Sequence, residues 1–221
     1  MKRLSLLLLG FALLTSCEQE LYDKGDSSSS YVRADFVEAF VGSDKKVSYV
    51  VTDDNERLTF ASPYSNSWIQ KADTVYRALM YYNLIDSKTE PLSLQRVGTL
   101  IVRTDSLKAK NAKTDPVGLE ATWMSRNKKY LNLDLILKVG IDEGEESKKQ
   151  TVGVVLSQTR TNADSTTTCC LLLAHSQEGM PEYYSQRNYV SIALASLKAD
   201  SVQLSVNTYD GLVQKTFPLR P

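Results

Sequence analysis

Leu131, Leu133, Leu135, Leu137 and Val139 occupy every second position of one stretch, with Asn132, Asp134 and Lys138 between them. Successive side chains of an extended strand point to opposite faces, so this spacing describes a strand with one apolar and one polar face. A helix would scatter the same residues around its circumference. The pattern recurs downstream. Val152, Val154 and Leu156 return from a hairpin whose tip is Gly140-Ile141-Asp142-Glu143-Gly144-Glu145-Glu146. Val190, Ile192 and Leu194 alternate with Ser191, Ala193 and Ala195, and Val202, Leu204 and Val206 with Gln203, Ser205 and Asn207. Thr168 to Ala174 is apolar on both faces after Thr168, as a central strand would be. Asp210-Gly211 signals a hairpin before the last strand, which ends at Phe217. Strands at this spacing predict an antiparallel β-sandwich over 115–221.

The preceding region is also β-rich. Val32 to Val41, Val47 to Val51 and Leu58 to Phe60 read as strands, separated by Gly42-Ser43-Asp44 and Asp53-Asp54-Asn55. Asp73 to Ile85 is a long strand apolar on both faces, which suits a closed, curved sheet. Leu92 to Arg103 supplies the fifth strand, with Gly98 placed for a bulge. Five short antiparallel strands predict a small OB-like barrel over 31–105. The charged, apolar-poor residues 106–114 read as the linker between the two domains.

Met1 to Cys17 has a different character. Lys2 and Arg3 precede an apolar run from Leu4 to Leu14, followed by Thr15, Ser16 and Cys17. A basic start, a short apolar middle and a small-residue end make a secretory signal, here over 1–16, and the run is too short to span a bilayer. Leu14-Thr15-Ser16-Cys17 resembles the lipobox of bacterial lipoproteins, which implies acylation of Cys17 and anchorage in a membrane. The expected site is the outer membrane of a Gram-negative envelope, on its periplasmic or surface face. Residues 17–30, polar and ending in four serines, are expected to form a flexible tether. Fully extended, such a segment reaches about 43–47 Å.

Charge and composition exclude several classes. The whole chain is neutral, and loss of Lys2 and Arg3 with the signal leaves −2. No basic stripe is available to displace counterions, so no nucleic-acid partner is expected. His175 is the only histidine, which excludes metal sites built from histidine clusters, and no serine lies in a G-x-S-x-G context. It is expected to satisfy a strand end by hydrogen bonding. Cys169 and Cys170 are adjacent on a strand and point to opposite faces, so they are expected to be buried free thiols. The acidic tip at Asp142, Glu143, Glu145 and Glu146 lacks the order of a calcium loop, and suits a solvated hairpin that discourages edge pairing. No catalytic residue, metal or cofactor is assigned.

Aromatic residues are the remaining candidates for contact. Tyr49, Tyr64, Trp68, Tyr76, Tyr81 and Tyr82 fall in the barrel half, and Tyr183 and Tyr184 in a turn-rich loop. OB-fold faces use such rings to stack ligands. Tyr49, Trp68, Tyr76, Tyr82, Tyr183 and Tyr184 are the candidate contacts for a protein or carbohydrate partner. The segments DPVGLEATW (115–123), YLNLDLILKVG (130–140), HSQEGMPEYYSQRNYVSIAL (175–194) and NTYDG (207–211) resemble the NigD-like family of bacterial lipoproteins. That resemblance implies an N-terminal OB-like barrel and a C-terminal β-sandwich. The family name comes from a bacteriocin gene cluster, so an accessory or immunity role is implied by association, with no catalytic residues to carry over. The expectation is a lipid-anchored binding module rather than an enzyme. An envelope hydrolase with dispersed carboxylates and a structural spacer are the alternatives.

Overall fold

The computed structural model describes residues 32–85, 88–105, 109–141 and 149–220. The signal, Cys17, the tether and the acidic tip at 142–146 lie outside these residues.

The first five strands are β1 (Arg33–Val41), β2 (Val47–Thr52), β3 (Arg57–Tyr64), β4 (Thr74–Ile85) and β5 (Lys88–Arg96). They close into a barrel in the order β1-β2-β3-β5-β4. β1 pairs antiparallel with both β2 and β4, and the ring shuts through a parallel contact between Phe60 and Thr89. Val37, Ala39, Val47, Val50, Ala78, Met80 and Tyr82 fill the interior.

The other eight are β6 (Gly98–Arg103), β7 (Gly118–Met124), β8 (Tyr130–Val139), β9 (Thr151–Thr161), β10 (Thr167–Ser176), β11 (Tyr184–Ala193), β12 (Ser201–Thr208) and β13 (Gly211–Pro218). Their order is β13-β12-β10-β9-β6-β11-β8-β7. Val117, just before β7, bridges to Thr208 at the end of β12, so the two halves of the order come together as a sandwich. Leu131, Leu133, Leu135 and Leu137 of β8 enter the shared core with Leu171, Leu173, Ile192, Val202, Leu204 and Val206. Burying these alternate aliphatic side chains, at about 25 cal/mol per Å2 of apolar surface, is the principal stabilising term. The fold is all-β, as the period-2 stripes require. Within the described residues of this sheet three pairings are parallel: β10 with β12, β6 with β11 and β6 with β9. Side-chain alternation is the same for either strand direction, so the pattern did not carry that detail.

Two expectations about the domain boundary need correction. The strand expected over Leu92 to Arg103 is two strands that divide at Val97, and the second belongs to the sandwich. Gly98–Ile101 pairs with β11, and Val102–Arg103 pairs with β9. The described part of the supposed linker, 109–114, is also laced to the sandwich. His175 N donates to Lys113 O at 2.9 Å, Asp115 N donates to His175 O at 3.0 Å, and Asn207 Nδ2 donates to Thr114 O at 2.7 Å. Polar residues satisfied by backbone pairing read as a loop in sequence although they lie against a sheet. From Val32 onward the chain forms one compact unit.

A buried polar brace joins barrel to sandwich. Along β4, Ala78, Met80 and Tyr82 point into the barrel, while Arg77 and Leu79 point out of it yet are only 4% and 5% exposed. The outer face of β8 and β11 covers them. The Arg77 guanidinium grips Asp53 with two 2.7 Å bonds, and also donates to Asn132 Oδ1 and Ser191 Oγ at 3.1 Å each. Asn132 Nδ2 donates to Asp53 Oδ2 at 3.2 Å, and Ser191 Oγ donates to Asn132 Oδ1 at 2.7 Å. The Tyr130 ring lies 4.1 Å from the guanidinium carbon. Beside this, Glu38 accepts from Lys129 Nζ and Tyr130 Oη at 2.9 Å each. Burial, then the Glu38 contact, pushes the Tyr130 hydroxyl up to about 12.

Replacing Arg77 by methionine leaves the Asp53 carboxylate without its opposite charge, with Asn132 Nδ2 as its remaining side-chain donor. Breaking a buried pair on one side costs about 3–5 kcal/mol. At about 2–4 °C per kcal/mol for a domain of this size, the melting temperature of Arg77→Met should fall by about 6–20 °C. The double variant Asp53→Asn/Arg77→Met should recover part of that loss in calorimetry. A double variant no more stable than the single one would show that the pair is not the source of the cost.

Candidate functional site

The brace holds open a cleft beside it. Two register rows cross the outer face of the sandwich. Trp123, Asn132 and Ser191 form one, and Ala121, Asp134 and Tyr189 the next. Period 2 places these residues opposite the leucine stripe, so the polar face of β8 meets the barrel, with Asn132 0% and Asp134 8% exposed. Ala34, Asp35, Phe36, Asp53, Asp54, Leu79 and Tyr81 line the barrel side of the cleft, and the 123–126 segment, Asp134 and Tyr189 line the other. The cleft is open to solvent and has a volume of about 520 Å3, within the range of small-molecule sites.

Phe36 stands edge-to-face with Trp123 at 5.3 Å and with Tyr189 at 5.7 Å, at interplanar angles of 79° and 84°. Three carboxylates in the cleft already have partners. Asp53 holds Arg77, Asp35 accepts from Tyr82 Oη at 2.7 Å, and Asp54 meets Arg126 at 3.2 Å on the surface. Asp134 differs from these. Its Oδ1 is buried and has no hydrogen-bond partner. Arg187 Nε stands 3.3 Å away, but not in hydrogen-bonding alignment, and its guanidinium lies 3.7 Å from Glu120 as well. Burial raises the Asp134 carboxyl above the usual carboxylate range; Arg187 opposes the shift and Glu120 adds to it. Among the described residues no three His, Cys, Asp or Glu side chains gather where a metal ion could be held.

The aromatic candidates do not form one surface. Tyr82 is 1% exposed, with its ring in the barrel core, so it is not a contact residue; its place on the inward face of β4 decides this. Burial, then the Asp35 contacts, pushes its hydroxyl up to about 12. Trp68 and Tyr76 are half-buried against the same core, edge-to-face at 5.4 Å, with Trp68 Nε1 donating to Leu94 O at 3.1 Å. Tyr64 packs beside them. Tyr49 stacks on Phe40 at 4.6 Å and carries Arg57 over its ring at 3.8 Å. Tyr183 and Tyr184 are exposed, 73% and 61%, and touch each other edge-on. Tyr81 alone among the barrel tyrosines considered lines the cleft. Phe36, Trp123, Asp134 and Tyr189 were not anticipated as contacts. The available signal was a polar residue, Asp134, opposite a leucine stripe in a strand buried on both faces.

His175 is 2% exposed, with Nδ1 3.0 Å from Asp115 O and Nε2 3.0 Å from Gln150 Oε1. It pins the 113–115 strap to β10, the structural place expected for it. Cys169 and Cys170 are buried free thiols.

A carboxyl raised by burial is penalised as the anion, and the folded state binds its proton more tightly than the unfolded chain does. The penalty is therefore present in full above the folded pKa, and is relieved as pH falls through that value toward the ordinary one. Asp134→Asn should melt at or above the wild-type temperature at pH 7, with the difference closing in acid. A variant clearly less stable at pH 7 would mean that the Arg187 contact outweighs desolvation.

Solved structures share this architecture. A NigD-like immunity protein from Bacteroides caccae ATCC 43185 superposes with a TM-score of 0.60 at 24% identity, covering 84% of this chain and 92% of that one. A protein of Parabacteroides distasonis ATCC 8503, named as presumed toxin-related, gives 0.61 at 18%, covering 85% and 92%. A presumed lipoprotein of Bacteroides fragilis NCTC 9343 gives 0.57 at 11%, covering 85% and 96%. A search of curated proteins finds no match. Identities this low establish a common fold and nothing finer. Residues 100–218, more than half of the 221, match the NigD-like C-terminal beta sandwich domain, and the chain belongs to that family.

Proposed function

We propose that this protein is a lipid-anchored accessory module of the cell envelope, which binds a protein or carbohydrate partner in the cleft between barrel and sandwich. The observation that carries this reading is the fixed cleft itself. Its walls are joined by the buried Arg77 brace and lined with aromatic rings. A preformed concave surface loses little entropy when a partner docks. Hydrolysis by paired acids needs two carboxyl groups free to exchange protons with a substrate. Asp35, Asp53 and Asp54 are already engaged, which favours binding over hydrolysis. The solved relatives named for immunity, a toxin and a lipoprotein support an accessory role in the envelope. The Leu14-Thr15-Ser16-Cys17 motif supports acylation at Cys17 and placement in the outer membrane, facing the periplasm or the surface.

Cys17→Ala should move the protein from the membrane to the soluble fraction. The two or three acyl chains of such a cysteine hold firmly at about 0.8 kcal/mol per buried CH2. A variant that still sediments after a carbonate wash would defeat the anchor.

Contact in the cleft is tested in intact cells with a photo-crosslinking side chain at Tyr81 or, for comparison, at exposed Leu212, which is outside the cleft. Adducts should form from position 81 and not from 212. Adducts at 212 alone would move the contact to the sandwich edge and end the cleft reading.

A further inference from the structure

Resting on the cleft reading above, we infer that its ligand is an organic cation on an alkyl stem, the ammonium or guanidinium group of a basic side chain. Asp134 supplies the counter-charge, and Phe36, Trp123 and Tyr189 supply the walls. Asp134 is the first ground. The residue is 8% exposed, lines the cavity, and has one buried oxygen, Oδ1, with no hydrogen-bond donor. A buried anion without donors is costly, and a charged donor offsets that cost better than a neutral hydroxyl.

Arg187 is the second ground. Its Nε sits 3.3 Å from Asp134, off the hydrogen-bonding direction, while the side chain remains 54% exposed and shared with Glu120. The chain thus gives Asp134 only a loosely held counter-charge of its own, from a residue outside the cleft lining. A better aligned cation can displace it.

The third ground is the lining. Asp35, Asp53, Asp54 and Asp134 face the cleft, with Arg126 as the only cation among the described lining residues, while Arg77 and Arg187 pair with Asp53 and Asp134 from outside the lining. Carboxylates thus outnumber cations in the lining, which disfavours phosphates and acidic peptides. The Phe36 ring meets those of Trp123 and Tyr189 at near right angles, so the three present no single flat platform. Rings around a cation attract it through their quadrupoles, and their apolar bodies hold its stem. A pyranose would prefer a single open ring face. A volume of about 520 Å3 admits one basic side chain with part of its backbone.

The full-length lipoprotein in neutral detergent is titrated by calorimetry with acetyl-Gly-Lys-Gly-amide and acetyl-Gly-Arg-Gly-amide. The comparison ligands are acetyl-Gly-norleucine-Gly-amide, which keeps the stem without the charge, n-butylamine and a chitin oligosaccharide. The basic peptides should bind at least tenfold more tightly than the norleucine peptide. Asp134→Asn should weaken them at least tenfold while its melting temperature stays at or above wild type. Arg187→Ala should tighten them, which a purely structural acid would not produce. Trp123→Phe, and Trp123→Ala where it folds, should weaken binding in that order. Butylamine matching the peptides would support a free amine as the source, and tighter peptide binding would support a protein side chain. Equal binding of the norleucine peptide, or no effect of Asp134→Asn, would overturn the cation and leave the cleft standing. Binding of the oligosaccharide alone would replace the cation with a sugar. If no ligand binds but Tyr81 still crosslinks in cells, the cation fails and the cleft survives. If neither occurs, both fail.

Discussion

One buried guanidinium holds this molecule in its working shape. Arg77 leaves the barrel wall on β4, is clamped by Asp53 from the turn after β2, and reaches Asn132 and Ser191 on the sandwich. Desolvating a cation is expensive, and the interaction repays it only where nearly every donor finds a partner. A planar fork can meet a carboxylate, an amide and a hydroxyl together, which a lysine ammonium cannot. The Glu38 contacts with Lys129 and Tyr130 and the Phe36 contacts with Trp123 and Tyr189 join barrel to sandwich beside the brace.

The brace also explains why so many strands are covered on both sides. Leu79 packs outside the barrel but under the sandwich, and Asn132 lies outside the sandwich but under the barrel. The long β4 is apolar on both faces because it serves two interiors, and barrel curvature alone would not require that.

The fold was legible where burial follows one periodicity. The leucine stripe of β8, the alternating strands β11 and β12, and the Asp210-Gly211 hairpin can be read directly, because each has one face in a local core. The boundary was not legible. Val97 and Gly98 look like a bulge in one strand, and only tertiary pairing shows that Gly98 starts a strand of another sheet. The site was less legible still. Tyrosines in a β-protein look alike in sequence whether they fill a core, as Tyr82 does, or line a cleft, as Tyr81 does. Asp134 looks like a solvated residue because a period-2 polar face ordinarily meets water. Here it meets the barrel, and sequence alternation carries no record of what covers a face.

The strand β6 has a consequence for how the molecule is made. It emerges directly from the barrel, yet Gly98 must wait for Val190, and Val102 for Val154, before its edges are paired. These are closures of long loops, whose entropy is lost before any contact compensates it, and such topologies fold slowly. The barrel strands are contiguous and can assemble while later segments are still being synthesised. The sandwich cannot close until β11 has arrived. A chain of this design therefore holds an unfinished sheet edge at its centre until nearly all of it has been made, and completes its cleft last.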